Sequence, residues 1–93
     1  MSYIIEFIPS SEKEFRKLDI NLRKQFIEKL KERAENPSTI RQITRHERLL
    51  KIKLRNVGYH LVYQVIDERI VVKIIAVGKR DRNFVYTKAK SRL

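Results

Sequence analysis

Cysteine is absent from the 93 residues, and glycine and proline occur only twice each. Without a thiol there is no disulfide to staple a small fold, no cysteine nucleophile and no thiolate metal site. An apolar core must therefore hold the chain, and a reducing compartment is expected. With only Gly58 and Gly78 there is no glycine-rich loop to cradle a nucleotide phosphate, and no Ser, His and Asp fall at a convincing triad spacing. Most nucleotide-hydrolysing and acyl-transfer enzymes drop out on those grounds. His46 and His60 would need carboxylates to complete a metal site, and the acidic residues near them lack such a spacing, so neither a metal nor another cofactor is expected. Long apolar runs are missing as well. Residues 3–8, interrupted by Glu6, and 74–77 fall far short of the ~20 residues that cross a bilayer, and the N-terminus has no basic flank followed by an apolar stretch. The expectation is a single domain over residues 1–93, soluble and cytoplasmic, with no membrane partner.

Acidic residues are also few: 11 against 22 Lys and Arg, a formal charge of +11. Residues 1–40 are nearly balanced at +1. Residues 41–60 carry Arg41, Arg45, Arg48, Lys51, Lys53 and Arg55 against Glu47, a net +5. Residues 61–78 are neutral, and 79–93 return to +5 through Lys79, Arg80, Arg82, Lys88, Lys90 and Arg92 against Asp81. The surplus thus sits in two segments rather than being spread for solubility, and a fold that joins them makes one cationic surface for a polyanionic partner. At 42% apolar residues the chain has the means to fold around that surface.

The hydrophobic pattern predicts an α+β fold in the order β-α-α-β-β-β, closed by a short C-terminal helix. Residues 3–8 read as a strand with little solvent exposure, stopped by Pro9-Ser10. Ser11 and Glu14 have capping-box spacing for a short helix bearing Phe15 and Leu18. Leu22, Phe26, Ile27, Leu30 and Ala34 then mark an amphipathic helix, capped by Asp19 or Asn21 and ended at Asn36-Pro37. From Leu50 the period changes to two: Leu50, Ile52 and Leu54 alternate with Lys51, Lys53 and Arg55. After Asn56-Val57-Gly58, a second strand puts Tyr59, Leu61, Tyr63 and Val65 on one face and His60, Val62, Gln64 and Ile66 on the other. Asp67-Glu68 turns into a nearly continuous apolar strand, 69–77, expected to be central and ended by Gly78. Three antiparallel strands in a meander are expected, with the first strand at an edge or beside the last. Both helices should cover one face and leave the opposite face open.

The row Lys51, Lys53, Arg55 admits two readings, a solvated strand face or an anion site. Three like charges on one face repel, and a polyphosphate would relieve that repulsion. The same repulsion favours release of a proton from one lysine, which makes a general base available. His60 is either a satisfied structural histidine or an acid, base or phosphate contact. In the segment 78–86, Lys79, Arg80 and Arg82 precede Phe84 and Tyr86. Guanidinium forks and an aromatic ring suit single-stranded RNA, although either ring would equally serve as an anchor onto the sheet.

The stretch Lys51-Ile52-Lys53-Leu54-Arg55-Asn56-Val57-Gly58-Tyr59-His60-Leu61-Val62-Tyr63-Gln64-Val65, with Val77-Gly78-Lys79-Arg80-Asp81-Arg82 and Val85-Tyr86, closely resembles the RelE family of bacterial toxin–antitoxin ribonucleases. The resemblance extends over nearly the whole chain, including the first strand, the helical pair and the Asn-Pro break. It implies a metal-free endoribonuclease that cuts mRNA in the ribosomal A site, leaving a 2′,3′-cyclic phosphate and a 5′-hydroxyl. Its implied partners are the 70S ribosome with its mRNA and rRNA, and a RelB-like antitoxin whose acidic segment wraps the toxin, operator DNA being reached only through that antitoxin. By motif position it implies a catalytic set of Lys51, Lys53, Arg80 and Tyr86, with Arg45 matching an arginine of the preceding loop. Arg41, Arg48, Arg55, Lys79, Arg82 and Lys88 would join Arg45 in holding RNA or ribosome. His60 stands where well-known members carry arginine, which implies a catalytic place in a modified role. Two other readings of the same surface are a ParE-like poison of DNA gyrase and an RNA-binding domain without chemistry.

Overall fold

A computed structural model describes residues 3–35, 49–54, 57–79 and 84–93. It contains β1 (Ile4–Phe7), α1 (Pro9–Arg16), α2 (Ile20–Glu35), β2 (Leu49–Leu54), β3 (Tyr59–Ile66), a 3-10 turn (Asp67–Arg69), β4 (Val71–Lys79) and α3 (Phe84–Ser91). The predicted α+β order, with its C-terminal helix, is the order found. The strands form one sheet, β1-β4-β3-β2, in which β2, β3 and β4 are an antiparallel meander and β1 adds to β4 in parallel. The apolar β4 is central, and β1 lies both at an edge and beside the last strand.

Each strand splits its side chains between the faces as period two requires. Leu50, Ile52 and Leu54 of β2, Leu61, Tyr63 and Val65 of β3, and Val72, Ile74 and Val77 of β4 form the inner core with Phe26 and Leu30 of α2. Burial of large side chains such as these contributes roughly 1.5–3 kcal/mol each. Asp19 starts α2, its carboxylate accepting the Asn21 N–H at 3.2 Å. Gly58 takes φ 67° in the β2–β3 turn, a conformation glycine adopts without a Cβ clash. Ile70, at the other end of the sheet, takes φ 55°, which costs such a residue roughly 1–3 kcal/mol.

The structure corrects four expectations. β1 is not shielded: it is an edge strand, and Ile4 is 64% exposed. Ser11 and Glu14 are not a capping box. Helix α1 begins three residues earlier with Pro9 in its first turn, where a missing N–H costs nothing, and its N-cap Ile8 makes no side-chain cap bond. Ser11 is fully buried, and its hydroxyl lies 2.7 Å from the Ile74 carbonyl of β4 and 3.0 Å from that of Ile8. Gly78 does not end its strand, which continues through Lys79. Finally, the outer face is not left open. Val85 and Ala89 of α3 pack on Leu49, Val62, Ile75 and Ala76 in a second apolar cluster. A bulge makes this possible: Tyr63 pairs with Ile74 and Val62 with Ala76, so Ile75 is an extra residue and Ile75 and Ala76 both join the outer cluster.

Candidate nucleic-acid interface

The outer face of the sheet gathers three of the predicted residues. Alternation buries Ile52 and Leu54 inward and leaves Lys51 and Lys53 half-buried on the other side. Register then aligns Lys53 with His60 and His60 with Gly78, a row across β2, β3 and β4. One step along, Lys51 aligns with Val62 and Ala76. Directly opposed residues of an antiparallel pair have Cβ atoms about 4.5–5.5 Å apart. Lys53 and His60 are therefore neighbours, and Lys51 lies two residues along β2 on the same face.

Helix α3 roofs the β4 end of the row, and Gly78 permits its approach. A Cβ at residue 78 would stand 3.1 Å from Cγ2 of Val85 and 3.7 Å from Nζ of Lys88. The glycine thus allows close packing of the helix and brings the Lys88 ammonium over the row that begins at Lys53. Tyr86 is the third residue of this helix. Lys79 is exposed but pairs with Tyr59, whose ring packs against the inner core, so it occupies the opposite parity and is not grouped with Lys51, Lys53 and His60.

An acidic residue that the sequence reading assigned to a helix cap stands beside this roof. The Glu14 carboxylate accepts from Nη1 and Nη2 of Arg92, both at 2.9 Å, from Nζ of Lys88 at 2.6 Å and from the Val77 N–H at 3.1 Å. Arg92 Nη1 also donates to the Ile75 carbonyl at 2.9 Å. Burial works to raise the Glu14 pKa, but the hydrogen bonds from Arg92, Lys88 and Val77, with the Lys88 charge, outweigh it and hold the carboxyl below its ordinary 4.5. Lys88, expected to face RNA, is thus engaged by Glu14. Sequence reasoning missed Glu14, Gly78 and Arg92. The one local hint was the i, i+4 spacing of Lys88 and Arg92 on the stripe that also carries Val85 and Ala89.

Arg41, Arg45, Arg48, Arg55, Arg80 and Arg82 lie outside the described residues, as do the side chains of Phe84 and Tyr86. Among the described residues no group of three or more His, Asp or Glu is placed to hold a metal ion, and no helix is long and apolar enough to cross a membrane.

Comparison with known proteins gives three findings. Residues 5–84 match the model of a family described as the ParE toxin of type II toxin–antitoxin systems, parDE. The chain is 45% identical over 94 residues to the mRNA interferase toxin RelE of Escherichia coli K12, an alignment covering 100% of this chain and 99% of the relative. Among solved structures, it is similar to a double arginine-to-alanine mutant of E. coli toxin RelE in the free state (TM-score 0.89, 44% identity, 100% and 99% of the two chains). It is also similar to a chain of the intact E. coli RelBE toxin–antitoxin complex (TM-score 0.80, 45% identity, 87% and 100%).

Proposed function

The chain belongs to the ParE toxin family of type II toxin–antitoxin systems, within it to the RelE toxins, and on that premise we propose that its outer cationic face cuts mRNA on the ribosome. It is an endoribonuclease toxin, an mRNA interferase, and its partner is a cognate antitoxin. The family model carries the name of ParE, but identity to a RelE interferase over the full length favours RNA over a gyrase target. The acidic segment expected of the antitoxin would meet this face. A ribosomal target puts its work in the cytoplasm, and residues 1–93 act as one domain.

The observation that carries the chemical reading is the row Lys53, His60, Gly78 with Lys51 beside it, roofed by the helix that bears Tyr86. Cleavage begins when the 2′-hydroxyl oxygen attacks the adjacent phosphorus. One of Lys51 and Lys53, as the neutral amine, takes the 2′-hydroxyl proton. The other, with Arg80, meets the charge that grows on the phosphorane oxygens. The bond from phosphorus to the 5′-oxygen breaks, that oxygen takes a proton from the His60 imidazolium or from water, and the products are a 2′,3′-cyclic phosphate and a 5′-hydroxyl. His60, beside Lys53, supplies a proton or, as imidazolium, a charge, and Tyr86 stacks on the scissile nucleotide. Arg41, Arg45, Arg48, Arg55 and Arg82 hold RNA backbone around it, while Lys88, bound to Glu14, stands at the margin of the row and Lys79 lies on the opposite parity of β4. No step asks for a metal. The ribosome supplies the substrate geometry, a contribution that positioning can make large.

Primer extension on a defined message, with and without ribosomes, tests this reading. Codon-phased cuts only with ribosomes are expected, lost in Arg80→Ala, slowed but still measurable in Tyr86→Ala and altered in His60→Ala and His60→Arg. Rapid specific cutting of naked mRNA would refute the ribosome's role, and DNA breaks in expressing cells would restore the gyrase reading. If both His60 variants cut like the parent, His60 is not part of the site.

A further inference from the structure

Glu14 belongs to a helix that the cleavage scheme does not use, yet its carboxylate receives four donors at the margin of the site. The pairing of β1 with β4 stops at Phe7 and Ile74. Beyond that point side chains serve the backbone of β4: Glu14 accepts the Val77 N–H, and Arg92 donates to the Ile75 carbonyl. The two side chains are in turn joined by two parallel bonds of 2.9 Å. They replace a strand at the bulge where β4 passes under α3.

We propose that Glu14 is a positioning residue for cleavage: by binding Arg92 and Lys88 at the edge of β4, it sets where α3, and with it Tyr86, stands relative to Lys51, Lys53 and His60. Three observations support this, and the proposal rests on the functional reading above. First, α3 has eight residues, too short to persist alone, and its described apolar anchors are only Val85 and Ala89. Second, the contacts of Glu14 differ from ordinary surface pairing. Its side chain and that of Arg92 are each 20% exposed, against 74% and 46% in the Arg16–Glu12 pair, which solvent screens. Third, Lys88 Nζ touches Glu14 while standing over Gly78, at the end of the row that contains Lys53 and His60. A shift of α3 therefore alters the site directly. A carboxylate beside a phosphate site also repels substrate, so its role here is to orient the cations around it.

Two measurements on the full-length chain test the proposal. Glu14→Gln keeps an oxygen for the Val77 N–H and removes the charge; Glu14→Ala removes both. On programmed ribosomes, Glu14→Gln is expected to lower kcat by about 10²-fold, the scale of a ~1 Å misplacement, with KM changed less than about twofold. Adding it to Tyr86→Ala should bring no further loss, because the two act through one group. A kcat equal to the parent's, or losses that multiply in the double variant, would overturn the proposal. In the second measurement, amide hydrogen exchange of residues 85–91 should accelerate in Glu14→Gln while β3 stays protected. Unchanged exchange in α3 overturns the proposal even if kcat falls. Should the parent itself fail to cut mRNA, the functional reading and the catalytic half of this proposal fall together, and exchange still decides whether Glu14 fixes α3.

Discussion

Among the described residues Tyr63 is the largest fully buried side chain, and burial changes its chemistry as well as its packing. Withdrawal from water pushes its phenol up to about 12, against the opposing pull of the Arg33 charge. The unfolded phenol titrates near 10, so the neutral form stabilises the fold fully below pH 10, and that contribution is lost as pH rises through 12. An alkaline unfolding series should show a stability loss between those values of at most ~3 kcal/mol, and Tyr63→Phe should flatten it. Equal alkaline sensitivity in the two proteins would assign the loss to other groups. That Tyr63 faces the core was legible from period two alone. The roles of Ser11 and Glu14 were not, because their partners Ile74 and Val77 lie 63 residues away and no local spacing reports them. Gly78 was legible as a special position but not for the right reason: the space it leaves is filled by Val85 and Lys88 from another element.

Elements with an internal period were readable from the chain, and elements that depend on a neighbour were not. Leu22, Phe26, Leu30 and Ala34 describe α2, and the Leu50 alternation describes β2, because one buried face imposes a repeat on each. Among the described side chains of helix α3 there are two apolar anchors and a tether of charges, so this docking is hard to read from a hydrophobic pattern. The same tether makes α3 sensitive to acid. Glu14 titrates below its ordinary 4.5 when folded, so its contribution is present above that value and lost as pH falls through the lower folded pKa. With roughly 1.5–3 kcal/mol attached to a hydrogen bond to a charged group, α3 should separate before the sheet melts. Amide spectra recorded on acidification should lose protection at 85–91 first. Simultaneous loss throughout the chain would show that Glu14 does not hold the helix selectively.

At the scale of the molecule, a charge of +11 on 93 residues predicts association dominated by phosphate. If five or more backbone phosphates are neutralised, ribosome binding should fall with salt at a log–log slope steeper than about −3. Binding insensitive to salt between low and physiological ionic strength would refute a phosphate-led interface. Composition and periodicity were enough for the class of partner, the α+β order, the inward faces of α2, β2 and β3, and the parity that sets Lys51 and Lys53 on the outer face. Each of these follows from local chemistry: charge adds along a chain, and alternation assigns faces wherever one side is dry. Other properties waited for the folded chain: the parallel docking of β1, the bulge at Ile75, the closure of α3 over Gly78 and the capture of Lys88 and Arg92 by Glu14. These depend on groups far apart in sequence meeting at one edge of β4, where unpaired backbone must find a partner and a side chain from either end of the chain supplies it.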